Sequence, residues 1–447
     1  MLHRPGVTQD LARFIVETRW SDIPQPIAHE AKRALVNFFA VALAGCRGGP
    51  VEIALQSLAP FSGREQATVI GRGERTDALS AAFLNAASAN VLDFDDTHVP
   101  TAIHPTAPVA PALFALAELR PVTGRDLLAA FVLGVEIECR IGGAIFPGHY
   151  TKGWHITATC GVLGAAAGAG RLLGLDGERM VFALGNAATQ SSGLCECLGF
   201  PAKSIGVGNA ARNGLWSALL ADKGFEGPPE PIAGVQGFLN AMAEPPNWPL
   251  LTGGLGETWA LAQNAIKPYP CGFVIHPFLD CVLEWRRAHP GGAIERVILR
   301  GNPLLSDRTD RPDISTGRES QVSVQHAVAA ALVLGKAGLE QFTDACARDG
   351  AVMEMRRRIT VVRDPAIPVI AAEVALTTTD GKTHHLSTRA ARGGAANPMS
   401  DRELEDKLRA AAEIWRPGHD ATPLIEAIWT LDRSADAARL LALTLPR

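Results

Sequence analysis

Lys267-Pro-Tyr-Pro270 is where the chain changes character. Upstream, from Gln9 to about Leu261, apolar residues recur mainly at helical spacing. Leu11, Phe14 and Ile15 start the series, and residues 31–44, 127–135, 181–188 and 209–220 continue it between Gly- and Pro-marked turns. Downstream, residues 296–300 and 358–362 are short β-branched runs that read as strands. Residues 373–379, Asp380-Gly381 and 382–388 form a hairpin signal with the turn dipeptide in place. Helices at 276–287, opened by Pro277, and at 323–334 intervene. Ser400-Asp-Arg-Glu403 is a capping box that restarts helix through Leu404, Leu408 and Ala411. The expectation is a mainly α fold with a large all-helical domain (1–266), a smaller α+β lid (267–395) and a C-terminal return to helix (396–447).

The chain of 447 residues is too long for one compact core. Its 47% hydrophobic and 20% charged content is that of a globular protein. A net charge of −4 gives no reason to expect nucleic acid or an anionic membrane as partner. The 44 glycines, many beside alanines, predict helices packed closely through small residues. Residues 1–13 lack the apolar core of a secretory signal, and the apolar run 157–170 meets Arg171 before reaching spanning length. Eight cysteines without framework spacing predict reduced thiols and a cytoplasmic setting. Cys195-Glu-Cys197 is too tight for a zinc knuckle and lacks the partners of an iron–sulfur cluster.

Chemistry concentrates in Asp93-Phe-Asp-Asp-Thr-His-Val-Pro-Thr-Ala-Ile-His104-Pro105, set between alanine-rich apolar segments. Ionisable groups embedded there face burial, where they must pair or have shifted pKa values. A helical reading puts Asp93 and Thr97 on one face. Pro105 biases His104 to the N-terminal side of the next helix, where the neutral, base-competent imidazole is favoured. A capping cluster between two helices accounts for the same residues.

Other basic residues also precede predicted helices: His155 before a helix from about Thr159, Lys203 before one from Asn209, and His276 before Pro277. Lys267 lies in the junction turn. Helix N-termini attract anions, so converging loops of this kind would build a pocket for a small polycarboxylate. Gly71-Arg-Gly73 lacks the residues of a nucleotide loop, and Ser191-Ser-Gly193 lacks a nucleophile elbow. His98 and His104 lack the helical i, i+4 spacing of a metal pair, and His384-His385 reads as solvent-facing hairpin. No metal and no organic cofactor are expected.

Taken together, Asp93 to Thr97, His104-Pro105, Gly153-Trp-His155, Lys203 with Gly208-Asn-Ala-Ala-Arg212, Lys267 to Cys271 with His276, and Arg392 to Pro398 resemble the MmgE/PrpD family in the family's order. That family includes 2-methylcitrate dehydratase, cis-aconitate decarboxylase and iminodisuccinate epimerase. The resemblance implies a helical domain with an α+β lid, a homodimer, and a cofactor-free site between the two domains. By position it assigns Asp93, Thr97, His104, His155, Lys203 and Lys267 to the site. The decarboxylases carry a tyrosine in the lid helix where this chain has His326, taken here with Thr97 and His276 as substrate-binding. The dehydratase branch follows His-Pro with Ser-Asp, whereas here Thr106-Ala107 follows.

The implied chemistry is proton transfer at a carbon next to a carboxylate of a small di- or tricarboxylate. It demands cations facing the carboxylates and a proton carrier of near-neutral pKa. Lys203 and Lys267 suit the first role. His104 or His155 suits the second, with Asp93 orienting an imidazole or acting as acid/base itself. A lyase, dehydrating or decarboxylating, is the leading expectation. Epimerisation of a dicarboxylate such as iminodisuccinate is the alternative, and a non-catalytic carboxylate binder is the alternative of another class.

Overall fold

The computed structural model describes residues 6–242 and 245–446. The fold is mainly α. Three long helices, Gly124–Ile145, Ile156–Leu173 and Ala202–Asp222, pack side by side. Glycine sets their separation. A Cβ on Gly134 would lie 2.7 Å from the Gly164 carbonyl oxygen, and one on Gly214 would lie 2.6 Å from that of Val162. Ile156–Leu173 is long and apolar enough to cross a bilayer, with the Arg171 charge falling only in its last turn; 83% of it is buried among its neighbours here.

Around these helices lie Gln25–Gly45, Ala78–Asn90 and Thr106–Ala117, whose Phe38, Phe39 and Phe114 rings contact one another. The Asp401–Trp415 helix joins the same core. Its Leu404, Leu408 and Ala412 pack with the Gln25–Gly45 helix, and its N-terminus carries the Ser400/Glu403 capping box.

Residues 271–386 hold a core of their own, built on a four-stranded mixed sheet. Ile294–Gly301 runs parallel to Ile359–Arg363 and antiparallel to Ala372–Thr378, which pairs antiparallel with Thr383–Thr388. Ala372, Val374 and Leu376 face inward at the strand period of two. The helices His276–Ala288 and Val324–Leu334 pack together in this core, the first of them on the sheet. Gly381 takes the left-handed turn position at φ 85°.

Several local expectations need correction. Asp93 and Thr97 do not share a helix face: the Ala78–Asn90 helix has ended, Asp93 is left-handed at φ 50°, and Thr97–His98 is a short strand. Asp tolerates that conformation better than most residues, which lets the chain turn sharply here. The first domain is therefore not purely helical; it contains the ladders Ala67–Thr68 with Arg75–Thr76 and Thr97–His98 with Asn264–Ala265. Residues 223–242 and 245–263 are mostly turns with short helical pieces. Lys203 does not precede its helix but lies in the first turn of Ala202–Asp222, and His155 caps a helix that starts at Ile156. In both cases the helix extends back through short stretches, Ile156-Thr-Ala158 and Ala202 to Gly208, whose mixed composition carries no clear apolar period. His385 is exposed as expected, and His384 is half-exposed while its ring also meets Trp285 and His289.

Gly134→Ala should push two of the central helices apart and cost about 1–3 kcal/mol, read from the denaturant midpoint. An unchanged midpoint would contradict the glycine-set spacing.

Candidate active site

The Thr97–His98 and Asn264–Ala265 ladder brings Lys267 alongside the loop that follows Asn90. Lys203 reaches the same place from the first turn of its helix. The Lys203 Nζ lies 2.5 Å from Asp93 Oδ1, and the Lys267 Nζ lies 3.3 Å from that oxygen and 3.1 Å from the Asp93 carbonyl. All three side chains are buried. Burial alone would raise the Asp93 carboxyl, but the two ammonium groups outweigh it and hold it well below the usual carboxylate range. Burial lowers Lys203, and the carboxylates of Asp93 and Asp95 oppose that.

His104 completes the cluster. Its Nδ1 lies 2.9 Å from the Asp96 carbonyl, which can only accept, so Nδ1 carries the hydrogen. Nε2 therefore presents a lone pair, 3.9 Å from Asp93 Oδ1. Thr97 Oγ1 lies 3.2 Å from the same Nδ1, and the His104 backbone N–H donates to Thr157 Oγ1. Burial first, then the fields of Lys203 and Lys267, hold the imidazole well below its ordinary pKa. His155 is lowered for the same reasons, burial leading, with Lys203 and His104 adding to it.

Behind this layer, Asp95 lies 3.4 Å from His104 Nδ1 and accepts from Asn90 through its other oxygen. Burial raises its carboxyl, with Lys267 and Lys203 opposing. Asp96 is pushed by burial to about 6 and accepts from Thr106 and Asn264.

Asp93, Thr97, His104, Lys203 and Lys267 are thus brought together by contact, and His155 enters through its electrostatic coupling to them. His276 sits one layer back. Its Nε2 bonds the Cys271 carbonyl, its ring packs against Tyr269 and Phe273, and burial lowers it to about 3. His326 is not part of the cluster. Its ring donates to the Gln341 carbonyl and meets Phe342 inside the lid core, so the substrate-binding role given it by position is corrected.

Asp93, Asp95 and His104 place possible ligand atoms within 4.8 Å of one another. A cation does not suit them, because two ammonium groups already contact the oxygens it would need.

Two further cations belong to this neighbourhood. Lys407, from the Asp401–Trp415 helix, donates to Asn37 Oδ1, the Phe94 carbonyl and the Lys267 carbonyl. Its signal was in the sequence, since Leu404, Lys407, Leu408 and Ala411 share a buried stripe at helical spacing. Arg318 of the lid donates to the Val91 carbonyl and to Gln321, and its field reaches Asp93 and Asp95. A lone arginine in a polar loop gives no such signal.

Profile comparison matches the MmgE/PrpD N-terminal domain to residues 9–251 and the MmgE/PrpD C-terminal domain to residues 269–433. The chain belongs to the MmgE/PrpD family. It is similar to a cis-aconitate decarboxylase-like protein of Aspergillus oryzae, with 29% identity over 98% of this chain and 97% of the relative. A cis-aconitate decarboxylase of Aspergillus terreus is 28% identical over 98% and 96%, and that of Homo sapiens 26% over 98% and 94%.

His98, beside the cluster, bonds Thr101 and is held by burial at about 4. Its contribution to stability is full above the unfolded value of about 6.5 and is lost as pH falls from there through about 4, because the unfolded chain then binds the extra proton. His98→Asn should therefore flatten the fall in stability between pH 7 and 4 by on the order of 3 kcal/mol. Parallel stability–pH curves for variant and parent would refute this.

Proposed function

We propose that the protein is a lyase that decarboxylates a small unsaturated polycarboxylate of the cis-aconitate type, with no metal in the reacting step. The observation that carries this reading is the buried Asp93–Lys203–Lys267 cluster with the bare His104 Nε2 facing it. The relatives' decarboxylase names favour this reaction over dehydration and epimerisation.

In such a substrate a carboxylate sits on a carbon next to a C=C bond. Its C–C bond breaks, carbon dioxide leaves, and the electron pair moves into the allyl system and onto the far carboxylate. A proton then adds at the carbon beside that far carboxylate. Lys203 and Lys267 stabilise the charge that accumulates there, and being fixed in a water-poor site they do so without reorganising. His104 moves the proton. With the site empty of substrate, burial and the two lysines keep the imidazole neutral. A polyanion arriving beside Nε2 favours its protonation, and the imidazolium then delivers that proton to carbon. Thr97 and the Asp96 carbonyl hold the ring in this tautomer. His155 is the second proton carrier in reach.

Incubation with cis-aconitate in heavy water, followed by NMR, should release carbon dioxide and place one deuterium on carbon in the dicarboxylate product. His104→Ala should lower turnover on the order of 10²–10⁴-fold. Lys203→Ala should also raise KM, because its charge faces the ground-state carboxylates as well. Near-normal turnover in His104→Ala would overturn the proton-carrier assignment. Solvent exchange into iminodisuccinate, with cis-aconitate untouched, would favour epimerisation.

A further inference from the structure

We infer that Arg318 is a specificity-determining residue, the lid-borne donor that recognises an additional carboxylate of the substrate and so selects a tricarboxylate over a dicarboxylate. The inference rests on the polycarboxylate reading above and adds which residue counts the carboxylates.

Arg318 lies in the short Gly317–Ser320 helix of the lid, whose Thr316/Glu319 capping box fixes the backbone beneath it. From there the side chain crosses to the helical domain. Nη1 donates to the Val91 carbonyl at 2.6 Å and to Gln321 Oε1, while Nε points to the Phe200 carbonyl at 3.4 Å. Gln321 in turn donates to the Leu92 carbonyl, so the lid grips the two residues just before Asp93. Nη2 is the exception. It is buried and has no hydrogen-bond partner among the described residues.

An unpaired guanidinium N–H in the interior is costly, and a fork of donors matches a carboxylate in shape. The cost is removed when a carboxylate arrives. The guanidinium also lies within the field of the cluster, since Asp93, Asp95, Lys203 and His155 are each coupled to it. Lys203 and Lys267 already share Asp93 and serve the reacting end of the substrate. Arg318 instead approaches from the lid and holds an unused donor. A third carboxylate, remote from the one that leaves and the one that takes up charge, would supply the acceptor that Nη2 lacks. A dicarboxylate would leave Nη2 unpaired.

The test uses two saturated probes that have no C=C bond to accept an electron pair and therefore do not react: tricarballylate, with three carboxylates, and methylsuccinate, the same skeleton lacking one. Calorimetry on the full-length protein should show tighter binding of tricarballylate. Arg318→Met should weaken that binding by about 10- to 100-fold while leaving methylsuccinate affinity nearly unchanged. Arg318→Lys, which keeps the charge but not the fork, should retain part of the preference and shows that the fold tolerates change at this position. Equal weakening of both probes in Arg318→Met would make the residue a lid latch rather than a selector, and no weakening of either would make it a bystander; both results overturn the inference. If the unmodified protein binds neither probe, the polycarboxylate reading itself falls, and a loss confined to the Arg318 variants cannot be confused with that outcome.

Discussion

A carboxylate at position 93 buried to 4% exposure is tolerable only if positive charge reaches it, and the fold supplies two ammonium groups from distant parts of the chain. Lys203 comes from the start of a central helix, and Lys267 comes from the junction between the helical core and the lid. Neither could move away without leaving an uncompensated buried charge. The left-handed turn at Asp93, the Thr97–Ala265 pairing and the first turn of the Ala202–Asp222 helix are the local structures that make the meeting possible. Burial lowers the His104 imidazole and the same two cations add to it, so one arrangement fixes both the anion-attracting field and the proton-transfer group.

Lys407 ties this arrangement to the C-terminal part of the chain. Its ammonium takes acceptors from the Gln25–Gly45 helix, from the loop between Asp93 and Asp95, and from the backbone of Lys267 itself. It also lies over the Phe94 ring. The return helix is thereby coupled to the two loops that carry the cluster, which gives its packing against the N-terminal helices a consequence for the site. Gly393 adds to the same junction: a Cβ there would fall 2.0 Å from the Ile266 carbonyl, so the chain passes directly behind Lys267.

The sequence was most legible where periodicity and turn chemistry act locally. The hairpin at Asp380-Gly381, the capping box at Ser400 and the long apolar helices follow from side-chain spacing alone. The gathering of Asp93, His104, Lys203 and Lys267 did not follow from spacing; basic residues beside helix starts suggested it, and the family resemblance made it specific. Two kinds of feature escaped. The turn at Asp93 was read as helix because the i, i+4 rule cannot register a single left-handed residue. Arg318 and the true surroundings of His326 depend on how the lid packs, which is a tertiary property. His326 stands in the first turn of its helix, within the lid helix the family resemblance pointed to, but its ring faces Gln341 and the lid core. The lid-side contribution to the cluster comes from Arg318 instead.

The central claim is that Asp93 is an ionised carboxylate held in the interior by two lysines. Carbon-13 NMR of labelled aspartate carboxyls, with the Asp93 resonance assigned by its loss in Asp93→Asn, measures this directly. The account predicts that the Asp93 carboxyl carbon keeps the shift of an ionised group from pH 7 down to the onset of acid unfolding. A midpoint at or above the ordinary aspartate value of about 3.9 would contradict it.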